Sequence, residues 1–292
     1  MDVIKTVAPF YAQSHERTER FDFPGAVAFL LGLGALLLGL NQGGEWGWTS
    51  ILVLGLLLSA VIFLSLFIYI EMHVEHPMLD LSLFKQLSFS MTAASAVINY
   101  IGIYSSIFLM PFYLIQGRGF SSAQAGLILT AQPVIMAIIA PISGTLSDRI
   151  GTRLPAVFGM AVLSSGLFLV SRLSAQSSIP SMMLALAVIG LGTGAFISPN
   201  NSALMGSAPK SRQGIAAGIL ATSRNFGMVL GVGIAGAIFT TILSHASNGA
   251  GAAGNPIQNG VIFHALGASF LAASLITILG VITSLVRVSR SS

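Results

Sequence analysis

The chain has 292 residues, of which 54% are hydrophobic and 8% charged, with a formal net charge of +4 and no cysteine. A soluble domain carries roughly a quarter charged residues, so this chain has too little polar surface to coat a water-soluble globule, and its mean hydropathy of +0.87 agrees. A soluble enzyme or nucleic-acid-binding module is nearly excluded, and so are disulfides, thiolate metal sites and cysteine nucleophiles.

Residues 1–24, MDVIKTVAPFYAQSHERTERFDFP, are polar or mixed and lack the apolar core of a secretory signal. Val3, Ile4, Val7, Phe10 and Tyr11 fall at helical spacing, but Pro9 would interrupt that helix, and a linker is the simpler reading. Beyond them lie the apolar runs Gly25 to Asn41, Ile51 to Ile70, Phe89 to Gln116 and Ala125 to Ser147. Pro155 to Leu173, Pro180 to Gly206, Gly214 to Ser244 and Val261 to Leu285 follow. Each approaches or exceeds the roughly 20 residues that cross a bilayer's hydrocarbon core, and all are too long for the strands of an outer-membrane barrel. The predicted fold is an all-α polytopic membrane bundle of about eight transmembrane helices.

Placement of the cations explains the net charge. With eight spans both ends lie on one side, which then holds Lys5, Arg17, Arg20, Lys85, Arg149, Arg153, Lys210, Arg212, Arg287 and Arg290, ten of the 13 Lys and Arg residues. Only Arg118 and Arg172 fall opposite, and Arg224 lies inside a span. Short loops rich in Lys and Arg stay in the cytoplasm, so both termini are predicted cytoplasmic in a plasma (inner) membrane. The turn with Trp46 and Trp48 and the loop HASNGAGAAGNPIQNG then face outward. Basicity is therefore a topology signal, and no nucleic-acid partner is expected.

The segment between the fourth and fifth spans, Gly144-Thr-Leu-Ser-Asp148-Arg149-Ile-Gly151-Thr-Arg153, combines opposed charges with two glycines at the end of a helix. Gly144 admits a close neighbour, Asp148 can accept hydrogen bonds or pair with a base, and Gly151 permits a tight turn. An ordinary basic cytoplasmic loop would also account for it. Other blocks stand beside it: Phe21-Asp22-Phe23-Pro24-Gly25, Trp46-Gly47-Trp48-Thr49-Ser50, Pro77-Met-Leu-Asp80-Leu-Ser-Leu83-Phe84 and Pro111-Phe-Tyr113-Leu. Further on come Gly190-Leu-Gly192-Thr-Gly194 with Ser198-Pro199-Asn200, and Gly214-Ile-Ala-Ala-Gly218 with Arg224-Asn225-Phe226-Gly227.

In these blocks the sequence resembles the major facilitator superfamily, and within it the fourteen-span drug/proton antiporters of the EmrB/QacA-like group. The resemblance covers nearly the whole chain. It implies a cytoplasmic linker at 1–24, an accessory transmembrane hairpin and cytoplasmic connector at 25–87, and a six-span C-terminal transporter bundle at 88–292. It implies proton-coupled efflux of an amphipathic drug or metabolite by alternating access, with Gly144, Asp148, Arg149, Gly151 and Arg153 as a cytoplasmic gating loop. It also implies that a first six-span bundle is missing. The chain is then expected to be the second half of a transporter, or alternatively a non-transporting fragment or a split subunit that needs a separate N-terminal half.

Charges at membrane depth are costly and usually functional. The nine acids, Asp2, Glu16, Glu19, Asp22, Glu45, Glu71, Glu75, Asp80 and Asp148, all avoid span interiors. The carboxylate that proton coupling requires is therefore not supplied here, and the resemblance implies that it lies in the first half. Arg224 is the embedded cation, roughly 15 Å along its helix. It faces a cavity or the other half, or it snorkels toward the cytoplasmic side. Asn99, Tyr100, Tyr104, Gln132 and Asn225 are polar candidates for a substrate path or for interhelical hydrogen bonds. Of these, Tyr100 and Tyr104 share a helix face, whereas Asn99 and Tyr104 do not.

Gly214 with Gly218, and Gly227 with Gly231, form small-xxx-small pairs expected to pack helices. Gly231-Val-Gly233-Ile-Ala-Gly236 fits a dinucleotide pattern but lies inside a span with no preceding strand, so that reading fails. His73 and His76 beside Glu71 and Glu75 have metal-like spacing at a charged helix end, a weak signal. Asn200-Asn201-Ser202 matches a glycosylation pattern at membrane depth and carries no weight. No catalytic constellation, cofactor or metal site is predicted, and the expected partners are the bilayer, a small-molecule substrate, and protons if the first half is present.

Overall fold

The computed structural model describes residues 22–74, 81–249 and 260–286. These residues contain eight helical spans long and apolar enough to cross a membrane. Residues 1–21 of the linker expected at 1–24, the residues Glu75, His76 and Asp80, and Arg287 and Arg290 lie outside the described residues, as does most of the Gly/Asn-rich loop.

Helix α1 (Phe23–Trp46) starts where the Asp22 carboxylate accepts the Gly25 N–H at 2.9 Å, with Pro24 in the first turn, where its missing N–H does no harm. It ends at Gly47, whose φ of +83° breaks the helical path. Helix α2 (Ile51–His73) is capped by Ser50, whose hydroxyl accepts from the Val53 N–H. The two form an antiparallel hairpin in which Gly32 and Gly39 of α1 receive Leu64 and Leu57 of α2. The outer face of α2 carries Ile51, Leu52, Leu58 and Val61, all exposed, as a lipid-facing helix requires. The other side of α1 lies on α8, with Leu40 against Gly233 and Thr240 against Gly44.

Helix α3 (Leu87–Pro111) continues into a wider turn at Phe112–Gly117. Next come α4 (Ser122–Leu129), α5 (Ala131–Ile150), α6 (Arg153–Ser171), α7 (Ile179–Ser207), α8 (Gln213–Gly249) and α9 (Val261–Val286). The run expected as one span from Ala125 to Ser147 is one span, Ser122–Ile150, in which a turn at Thr130 separates α4 from α5. Pro133 has no N–H to offer the Leu129 carbonyl four residues back, which removes a helical bond at this joint. The α4 start is secured by a reciprocal capping box between Ser121 and Gln124.

The main core lies among α3, α6, α7 and α9, where Leu109, Met160, Leu163, Leu186, Leu266 and Phe270 are buried together. Close helix crossings set its geometry. A Cβ on Gly192 of α7 would stand 2.7 Å from the Gly159 carbonyl oxygen of α6, while one on Gly194, a fraction of a turn away, would stand 2.9 Å from the Met136 carbonyl of α5. The Gly190-Gly192-Gly194 block therefore lets α7 wedge between α5 and α6. Buried hydroxyls pair across helices, with Ser164 and Ser274 exchanging bonds between α6 and α9. A second cluster around Phe67, Phe89 and Leu204 joins the hairpin to the bundle.

Candidate functional site

A groove of about 420 Å³ opens on one side of the bundle. Its first wall is α3, where Tyr100, Ile103, Tyr104 and Ile107 recur at the spacing of one helical face. The α4–α5 joint supplies Leu129, Gln132, Pro133 and Met136, so the break at Thr130 shapes the second wall. Ile197 of α7 and Arg224 of α8 complete the lining. The volume falls within the range of small-molecule pockets, and the composition, apolar walls with a few polar groups, is of that kind.

Each polar member has an identifiable support. The rings of Tyr100 and Tyr104 lie 6.4 Å apart and are tilted by 38°. Gln132 accepts a 3.2 Å hydrogen bond from the Ser106 hydroxyl, which fixes its amide. Arg224 is brought beside Tyr100 by Gly227, three residues further along α8: a Cβ at Gly227 would stand 2.6 Å from the Tyr100 Cβ and 2.7 Å from the Val97 carbonyl oxygen. Gly231 approaches the Ile101 carbonyl in the same way, and Ser105 donates to the Gly231 carbonyl at 3.2 Å.

The other residues singled out from the sequence are dispersed. Asn99 is fully buried, and its amide donates to the Met160 sulfur at 3.4 Å, so it faces α6 and not the groove. One residue of helix turns a side chain by about 100°, which separates Asn99 from Tyr100. Asn225 is exposed on α8 outside the groove lining. Gly214 and Gly218 are exposed too, and a Cβ at Gly214 would meet nothing within 4 Å. The 13 residues from Gly214 to Gly227 rotate the helix by about 220°, so the two glycine pairs address nearly opposite faces. Of Gly214, Gly227 and Gly231, the last two lie in close approach to α3. Asn200 is buried and donates to the Thr92 carbonyl at 3.4 Å.

At the end of α5, Gly144 faces the Ser198 hydroxyl of α7, and Ser143 donates to the Ala195 carbonyl at 2.6 Å. Gly151, at φ +84°, turns the chain into α6. Arg153 donates to the Leu285 carbonyl at the end of α9. Asp148 and Arg149 are exposed and make no hydrogen bond or ion pair among the described residues. His73 sits against the Tyr69 carbonyl at 2.8 Å and its ring.

The model of the Major Facilitator Superfamily matches residues 92–291. The chain belongs to the major facilitator superfamily. The match starts inside α3 and leaves the α1–α2 hairpin outside it. Among major facilitator proteins, the chain is 30% identical to the multidrug resistance protein Stp of Mycobacterium tuberculosis over 230 residues, which are 79% of this chain and 43% of that protein. It is 34% identical to the riboflavin transporter RibZ of Clostridioides difficile over 230 residues, 79% of this chain and 49% of RibZ. It is 29% identical to the quinolone resistance protein NorB of Staphylococcus aureus over 236 residues, 78% of this chain and 50% of NorB. The chain spans about half the length of these relatives. It is an integral membrane protein of a transporter family.

Sequence reasoning had marked Tyr100, Tyr104, Gln132 and Arg224 but not Ser106, Ile103, Ile107, Met136 or Ile197. For α3 a signal existed, since residues 100, 103, 104 and 107 follow the one-face rule. For Met136 and Ile197 there was none, because apolar residues facing a groove and facing lipid look alike in a membrane helix.

Proposed function

We propose that the chain forms the C-terminal bundle of a proton-coupled exporter of amphipathic drugs or metabolites, of the EmrB/QacA-like kind, with the groove between α3, α5, α7 and α8 as its share of the substrate path. The groove carries this reading: it is drug-sized, walled by apolar side chains and punctuated by Tyr100, Tyr104, Gln132 and Arg224. The roles named for Stp, RibZ and NorB, multidrug resistance, riboflavin transport and quinolone resistance, fit an adaptable cavity of that type. In this reading α1–α2 is the accessory hairpin and residues 1–24 the linker. Both termini are cytoplasmic, and the Gly144–Arg153 loop steadies one of the two states of alternating access. Protons are taken up on carboxylates outside this chain, because the acids of the sequence avoid the span interiors.

A second reading rests on the exposure of Arg224 and the open side of the groove. A bundle with that face toward lipid would hold an uncompensated charge, so the chain alone would be inactive and would need a separate first-half bundle. Reconstitution in liposomes separates the two. The purified chain is inserted with and without the first-half bundle of NorB, and riboflavin, a fluoroquinolone and ethidium are followed under an imposed pH gradient. Gradient-driven movement of at least one compound only with both halves supports the exporter reading in its two-part form. Movement by the chain alone refutes the inactive-subunit reading, and no movement under either condition refutes both.

A further inference from the structure

We infer that the groove prefers a planar aromatic ligand bearing an anionic, acceptor-rich group over a lipophilic cation, an inference that rests on the groove being the substrate path. Arg224 is the one charged side chain in the lining, and no acidic side chain lines it among the described residues. The polar complement is heavily weighted toward donors. A guanidinium brings five N–H donors and no acceptor. The Gln132 oxygen already accepts from Ser106, and its NH2 group, again a donor, has no bond among the described residues. The hydroxyls of Tyr100 and Tyr104 are likewise unbonded among the described residues and can donate.

A ligand that satisfies this set must bring acceptors, and a full negative charge makes the bonds to Arg224 charge-assisted. A cation would place like charge beside Arg224 with no carboxylate of this bundle to offset it. The body of the ligand follows from the walls. Two tilted tyrosine rings 6.4 Å apart offer aromatic faces, and Ile103, Ile107 and Met136 offer apolar contact to a flat ring system.

The test uses the 292-residue chain in lipid nanodiscs and two probes with one aromatic body and opposite charge, 1-pyrenesulfonate and (1-pyrenylmethyl)trimethylammonium, titrated by pyrene fluorescence. Thermal melts first match each variant to the parent. The sulfonate should bind about tenfold tighter than the ammonium probe, Arg224→Gln should weaken the sulfonate about tenfold while sparing the cation, and Arg224→Lys should retain part of the preference. Ile107→Trp, at a position 53% exposed on the groove wall, should remove the saturable component for both probes. Saturable binding that Ile107→Trp abolishes, but that favours the cation or ignores Arg224→Gln, overturns the ligand class and leaves the groove reading intact. Binding that ignores Ile107→Trp, or no saturable binding of the sulfonate, overturns the groove reading and the ligand class together.

Discussion

The indole N–H of Trp48, in the turn between α1 and α2, donates a 2.9 Å hydrogen bond to the Thr241 hydroxyl of α8. The bond links residues 193 positions apart and fastens the turn of the hairpin to the bundle. Gly43 makes room for the indole, since a Cβ there would stand 2.5 Å from its ring. A double-mutant cycle with Trp48→Phe and Thr241→Val should return a coupling of about 1 kcal/mol in detergent-solubilised thermal unfolding. Strictly additive losses would show that the bond does not hold the hairpin.

The α6–α7 crossing should be intolerant of any side chain. Gly192→Ala places a methyl against the backbone of Gly159 and Leu163, and overpacking of this kind costs about 1–3 kcal/mol. Gly55→Ala in α2, where nothing lies within 4 Å, should be neutral or stabilising by up to about 1 kcal/mol from helix propensity. The comparison is read from melting curves of the two variants, and equal effects would contradict the packing described.

Asp148 and Arg153, five residues apart, should behave differently. Asp148 is exposed and unbonded among the described residues, so Asp148→Asn should change stability by less than about 0.5 kcal/mol. Its effect should appear in transport by the two-part system, as expected of a residue that steadies one state. Full transport by Asp148→Asn would remove the gating assignment. Arg153 is tied to the Leu285 carbonyl, so Arg153→Ala should also lower the melting temperature.

The absence of cysteine makes orientation directly measurable. Thr49→Cys and Ala175→Cys should react with a membrane-impermeant maleimide on intact cells, and Gln86→Cys and Gln213→Cys only after permeabilisation. The reverse pattern would place both termini outside and overturn the reading of the Lys and Arg distribution.

The spans were legible because each is a long apolar run, and burial in lipid leaves the backbone no alternative to the helix. The turn at Thr130 within the span Ser122–Ile150 was not, since nothing in that apolar run marks Thr130 apart from Pro133 three residues on. The pairing of Tyr100 with Tyr104 followed from spacing alone. The inward turn of Asn99 did not, because the angular position of the groove on α3 is set by α5 and α8, which the local sequence does not contain. Gly214 and Gly227 make the same point on one helix. Gly214 meets open space and Gly227 meets α3, and the phase of the helix relative to α3 distinguishes them.

Substrate protection at a single position tests the groove most directly. In the two-part system, Tyr104→Cys is labelled with a bulky maleimide in the presence and absence of riboflavin or a fluoroquinolone, with Leu58→Cys on the lipid-facing side of α2 as the reference. Slower labelling at position 104 with at least one compound, unchanged labelling at position 58, and loss of transport after labelling at 104 alone are the predicted results. Labelling at 104 that neither compound slows, with transport intact in the labelled protein, would contradict the assignment of this groove to the substrate path.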